Sequence, residues 1–224
     1  MTDRDSDSRG GGALGTQAGA PAVSAPVAAG AALFNEGHVL AAHDPWEAAW
    51  LPLDDGDDER LLHGLIAAAA ATHHATERNW SGAAGCAANA VGYLAAVDDA
   101  ARGVGVPSVR EWCRRLAADP ETVERAGPPA LRVDGEAPTF ADLDLPAALL
   151  AAPPLAGAVD RGDEATVEAA AALAREERGT GRTQFAELLF AFLREPDARP
   201  QVAARLADHV DLAERKRRDV DNLF

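Results

Sequence analysis

Lysine is nearly missing from this chain. Lys216 is the one lysine among 21 basic residues, against 36 aspartates and glutamates, for a formal net charge of −15. Binding phosphates or anionic lipid needs a basic face, so nucleic acid and membrane surfaces are excluded as partners. Acidic excess with arginine in place of lysine predicts a halophilic protein kept in solution by its charge. Aromatic residues make up only 5% of the chain, and the apolar residues are mostly alanine. Alanine is the best helix former and a poor strand former, so the composition predicts an all-α fold. Two cysteines, Cys86 and Cys113, have no CxxC spacing and predict buried thiols rather than a disulfide. No run approaches the roughly 18 apolar residues of a membrane span. The opening Asp, Arg and Ser residues do not form an export signal, and the expectation is a soluble, cytoplasmic protein.

Residues 1–26 are Gly, Ala, Ser, Pro and Asp without periodicity, which predicts a disordered low-complexity tail. Residues 27–224 predict one helical domain, a multi-helix bundle built from antiparallel helix hairpins, with a core at about 33–101 and an extension at 102–224. Breaks are expected at Gly37, at the acidic loop Pro52–Asp58 and at Asn79. A further helix is expected over Ser108–Ala118 with Ser108 as N-cap, and a short one over Pro120–Arg125. Asp134-Gly135 is a hairpin signal and predicts one small β-hairpin near 130–138. Beyond a break at Pro153-Pro154, three helices are expected at about 163–178, 180–195 and 198–215.

Five of the six histidines and three of the four tryptophans fall within Leu33–Leu94. Between Arg60 and Glu77 lies a helix without a charged residue in its interior. Leu61, Leu62, Leu65, Ile66 and Ala69 form one face; His63, Gly64, Ala67, Ala70, Ala71 and His74 form the other. Such a helix belongs at the centre of a bundle. Its small face invites a close neighbour, for which Gly82, Ala83, Gly85, Ala87 and Ala88 are the matching residues, with Asn79 placed to cap their helix.

If helix 38–50 and helix 59–76 pack antiparallel, residue i lies level with about residue 108 minus i. His43, Glu47 and His63 then form one group, with Arg60 near; Asn35, His73, His74 and Asn79 form another. His63 and His74 are about 16 Å apart along the axis and cannot share an ion. Two imidazoles and a carboxylate suit a divalent metal or acid–base chemistry. The alternative, which we favour, is a buried hydrogen-bond network in which Glu47 orients His43. Asp44-Pro45-Trp46-Glu47 can also restart a helix with Asp44 as N-cap and Glu47 at N3. The Trp46–Trp50 pair reads as core packing, and Asp54, Asp55, Asp57, Asp58 and Glu59 as a solvated loop without the calcium-hand pattern. Nucleophile-elbow, phosphate-loop and dinucleotide motifs are missing.

These residues resemble an uncharacterised family, the domain of unknown function numbered 309. The matching positions are Phe34, Asn35, Gly37, Ala42, His43, Asp44, Glu47 and Trp50, then Gly64, Leu65, Ile66 and His74, then Asn79, Gly82 and Ala83. Asp44 stands where glutamate is more usual, Ala67 where glutamine is frequent, and Pro45 inside the motif helix. The resemblance covers about 33–94; the remainder is similar to longer halophilic members. It implies an all-helical bundle and no established activity. The leading expectation is therefore a non-catalytic scaffold or interaction module, with a protein partner or self-association and no cofactor. The alternative is a hydrolase-like enzyme, metal-dependent or acid–base, using His43, Glu47 and His63. Asn35, Asp44, Trp50, His74 and Asn79 are the candidate binding residues, with a small ligand between His74 and Asn35 as a third possibility.

Overall fold

The computed structural model describes residues 23–159 and 161–221. Among them are ten α-helices and no strand: α1 (Ser24–Asn35), α2 (His43–Trp50), α3 (Asp57–Thr76), α4 (Trp80–Leu94), α5 (Val106–Ala118), α6 (Thr122–Arg125), α7 (Leu145–Val159), α8 (Glu164–Glu177), α9 (Gln184–Arg194) and α10 (Arg199–Asp221). The expected tail lies outside the described residues over 1–22. Its last residues instead open α1, because Val23 and Val27 are both buried in the core.

α3 is the centre. It packs against α2, α4 and α5, while α1 joins α2 to α7, and α7 leads into the α8–α10 group. Leu61, Leu62, Leu65 and Ala71 are fully buried, so both faces of α3 are covered as its composition predicts. Small residues set the spacing. A Cβ on Gly64 would stand 2.5 Å from Leu94 Cδ2, and one on Gly30 would stand 2.3 Å from two atoms of the Trp46 indole. The buried residues of α4 are Ala83, Ala87, Ala90 and Leu94; Gly85 and Ala88 face outward instead of joining the small face.

The hairpin expectation is met only at its turn. Asp134 and Gly135 take φ of 52° and 86°, and Val133 and Glu136 exchange both backbone hydrogen bonds at 2.8 and 3.1 Å. Positive φ at both central residues is what an Asp-Gly turn of this kind supplies. Pairing stops at that single bridge, with one more from Val133 to Val104, so no β-hairpin ladder follows.

Three helix boundaries also differ. α5 begins at Val106, with Gly105 rather than Ser108 at the cap. Pro153 and Pro154 do not break α7; the helix runs through them, held by buried Leu149, Ala151, Ala152, Leu155 and Ala156 on either side. Tertiary burial here outweighs the two missing amide donors. α10 continues to Asp221 rather than ending near 215.

The Trp46 seat yields a paired test. Gly30→Ala should lower the unfolding free energy by about 1–3 kcal/mol through overpacking. A Cβ on Gly85 meets nothing within 4 Å; Gly85→Ala should be neutral or stabilising by up to about 1 kcal/mol. Urea midpoints of the two variants check this, and equal effects would contradict the proposed close approach.

Candidate functional site

α1 ends at Asn35 with Glu36 as its C-cap, and the chain turns back through Gly37 at φ 88°. The His38 amide donates to Leu33 O at 2.8 Å and the Gly37 amide to Phe34 O at 3.1 Å. This is a Schellman end, which explains the motif glycine. His38 then stacks on Phe140, with ring centroids 6.1 Å apart. Burial first, and then the nearby Arg199 guanidinium, hold His38 below its ordinary pKa, while Glu36 pulls the other way.

Asn35, one residue inside that end, reaches across the molecule. Its Nδ2 donates to Leu131 O at 3.0 Å and to Pro138 O at 2.9 Å, and its Oδ1 accepts the Leu131 amide at 2.8 Å. One side chain thus clamps the segment that carries the Asp134-Gly135 turn. Asn35 is separated in this way from the group expected around His74 and Asn79. Asn79 keeps its predicted role, its Oδ1 accepting the Gly82 amide at 3.1 Å as the cap of α4. Its Nδ2 lies 3.3 Å from His74 Nδ1. The His73 and His74 rings sit 6.0 Å apart, tilted by 42°.

α2 starts at His43 with Ala42 at its cap, so Asp44 lies in the first turn and caps nothing. The reason is local: Ala42 is already in the helical region, at φ −62° and ψ −23°. His43 and Glu47 do meet, Nδ1 to Oε2 at 3.6 Å, one turn apart on the same face. Partial burial pushes the Asp44 carboxyl above its ordinary pKa; His43 pulls it down and Glu47 pushes it up.

His63 joins neither. Its Nδ1 lies 3.3 Å from Glu59 Oε1, the same oxygen that accepts from Trp50 Nε1 at 2.8 Å. Its ring stacks on Tyr93 at 3.8 Å and lies 4.5 Å from Trp50, centroid to centroid. Trp50 and Glu59 meet in the register that the antiparallel hairpin predicts. His63 packs between Trp50 of α2 and Tyr93 of α4. Among the described residues no three His, Cys, Asp or Glu side chains converge to hold a metal ion. The three candidates His43, Glu47 and His63 thus fall into two separate pairs, His43–Glu47 and His63–Glu59.

The remaining motif residues fill the core. Trp46 is fully buried, its Nε1 without a hydrogen-bond partner among the described residues. Trp112 Nε1 donates to Thr72 Oγ1 at 2.9 Å, and that hydroxyl donates to Ala68 O at 2.8 Å, so this buried pair is satisfied. Between Trp46, Trp112, Phe34 and Leu131 remains a cavity of about 10 Å³, at the lower edge of what one water needs. Cys113 is buried and Cys86 half-buried, both as free thiols; burial pushes the Cys113 thiol up to about 12.

Glu59, Tyr93 and Thr72 are the partners that sequence reasoning missed. Glu59 was hidden in an acidic run, although its position four residues before His63 is a helix-face signal. In the same run Asp58 pairs with Arg102, Nε to Oδ1 at 2.7 Å.

Residues 27–86, from α1 into α4, match the family model described as Domain of unknown function (DUF309). No curated protein matches the chain.

The clamp makes a specific prediction. Asn35→Ala removes three hydrogen bonds and should cost about 2–4 kcal/mol of stability. Amide exchange at Leu131 should accelerate ahead of the α4 amides; unchanged protection at Leu131 would show that the segment is held by something else.

Proposed function

We propose that this protein is a non-catalytic helical scaffold or interaction module, working through its surface rather than through the motif residues. One observation carries the reading: the polar motif side chains are committed within the fold. Asn35 clamps 131–138, Asn79 caps α4, Trp50 is tied to Glu59, and His63 is stacked on Tyr93. A hydrolase-like enzyme, metal-dependent or acid–base, would use His43, Glu47 and His63 together, and His63 is engaged elsewhere. The net charge of −15 favours a protein as partner over nucleic acid or an anionic membrane. No helix among the described residues is long and apolar enough to cross a membrane.

Under this reading His63→Ala lowers the unfolding free energy by about 1–2 kcal/mol, through the lost ring stacking and the Glu59 contact. Elemental analysis of protein purified without a histidine tag should show no stoichiometric divalent metal. Near-stoichiometric metal that disappears in His43→Ala or Glu47→Ala would replace the scaffold with the metal-dependent enzyme.

A further inference from the structure

Two surface features at separate places on the fold are complementary. At the α2–α3 turn, Leu51 is 68% exposed, the most exposed large apolar side chain among the described residues. Pro52 and Leu53 follow it, and then exposed Asp54 and Asp55. Of the other acids in this turn, Asp57 lies 3.4 Å from Arg60, Asp58 is paired with Arg102 and Glu59 holds Trp50 and His63, so Asp54 and Asp55 supply the unpaired charge among these described residues. The turn is an apolar knob with an acidic collar.

Between α8, α9 and α10 lies a groove of about 480 Å³. Leu173, Phe185 and Leu212 line it, and Leu212 is left 43% exposed. Both carboxylates in the groove are engaged: Glu176 pairs with Arg217, and Glu177 Oε2 accepts the Phe185 amide at 3.1 Å. Arg182, Lys216 and Arg217 outnumber the two carboxylates, so the lining has a small positive excess on a protein that is otherwise strongly acidic. Leu212 is its main exposed apolar side chain.

We propose that the occupant of the groove is the Leu51–Asp55 knob of a second copy of this chain. Apolar and charged parts match together: Leu51 meets Leu173, Phe185 and Leu212, while Asp54 and Asp55 meet Arg182 and Lys216. The knob cannot reach the groove of its own chain, because α2 and α3 pack with α1, α4 and α5, and α8–α10 lie on the far side of α7. The contact is heterologous, head to tail, so repetition gives a ring or an open chain. Salt screens the exposed ion pairs and also the repulsion between two copies of net charge −15, so the two effects oppose each other. This inference names the partner of the interaction module proposed above and rests on that reading.

Sedimentation velocity of the full chain tests it, at about 0.1 M and about 1 M salt, where the screening length falls from roughly 10 Å to 3 Å. The wild-type chain should self-associate at one or both of these salts. Leu51→Asp should be monomeric, and so should the double variant Arg182→Glu with Lys216→Glu; each keeps wild-type circular dichroism, since all three residues are exposed. Mixed, the two variants should form a 1:1 dimer and nothing larger, because one retains the groove and the other the knob. A wild-type chain monomeric at both salts, variants that associate like wild type, or a mixture that stays monomeric would each overturn the self-association. The scaffold reading is then judged on its own metal analysis, which this outcome does not alter.

Discussion

The structure depends on how closely helices can approach α3. A helix buried on both faces needs neighbours on both sides, and large side chains everywhere would hold them too far apart for close packing. Gly64 lets Leu94 of α4 lie against the α3 backbone, and Gly30 lets the flat Trp46 ring bring α2 onto α1. Alanines at 67, 68, 69, 71 and 75 line the rest of the mast. With aromatics at only 5%, the few bulky rings sit where they lock these approaches rather than fill a large core. Trp46 and Trp112, both buried, leave almost no void between them.

Once that spacing is set, the polar motif residues become intelligible as fasteners at the ends of helices. Gly37 turns the chain out of α1, and Asn35 uses the position just before it to hold a segment almost a hundred residues away. Asn79 stops α3 from running on by starting α4. Glu59 ties Trp50 of α2 to His63 of α3 with one carboxylate oxygen, and Tyr93 of α4 closes the stack. Polar groups of this kind specify one arrangement of helices because a misplaced helix leaves them unpaired.

Helical periodicity and breakers make the first four helices legible in the sequence: the break at Gly37, the cap at Asn79, the double-faced α3 and the α2–α3 register all follow from spacing. What spacing could not supply was the choice of side-chain partner. His63 takes Glu59 from its own helix and packs between Trp50 and Tyr93 rather than joining His43 and Glu47. Pro153 and Pro154 misled for the opposite reason. Their local chemistry ends helices, yet the apolar residues around them gain more from continuous burial in α7 than two lost hydrogen bonds cost. The partners of Asn35 are not legible from spacing, because they are backbone atoms of a segment without periodicity.

If α3 is the mast, it should be the last element to open. Native-state hydrogen exchange measures this most directly. The amides of Leu65–Ala71 should exchange only through global unfolding, with the full denaturant dependence of the cooperative transition, and more slowly than those of α8–α10. Exchange of the α3 amides through a smaller opening, while α7 or α8 remain protected, would contradict a fold organised around that helix.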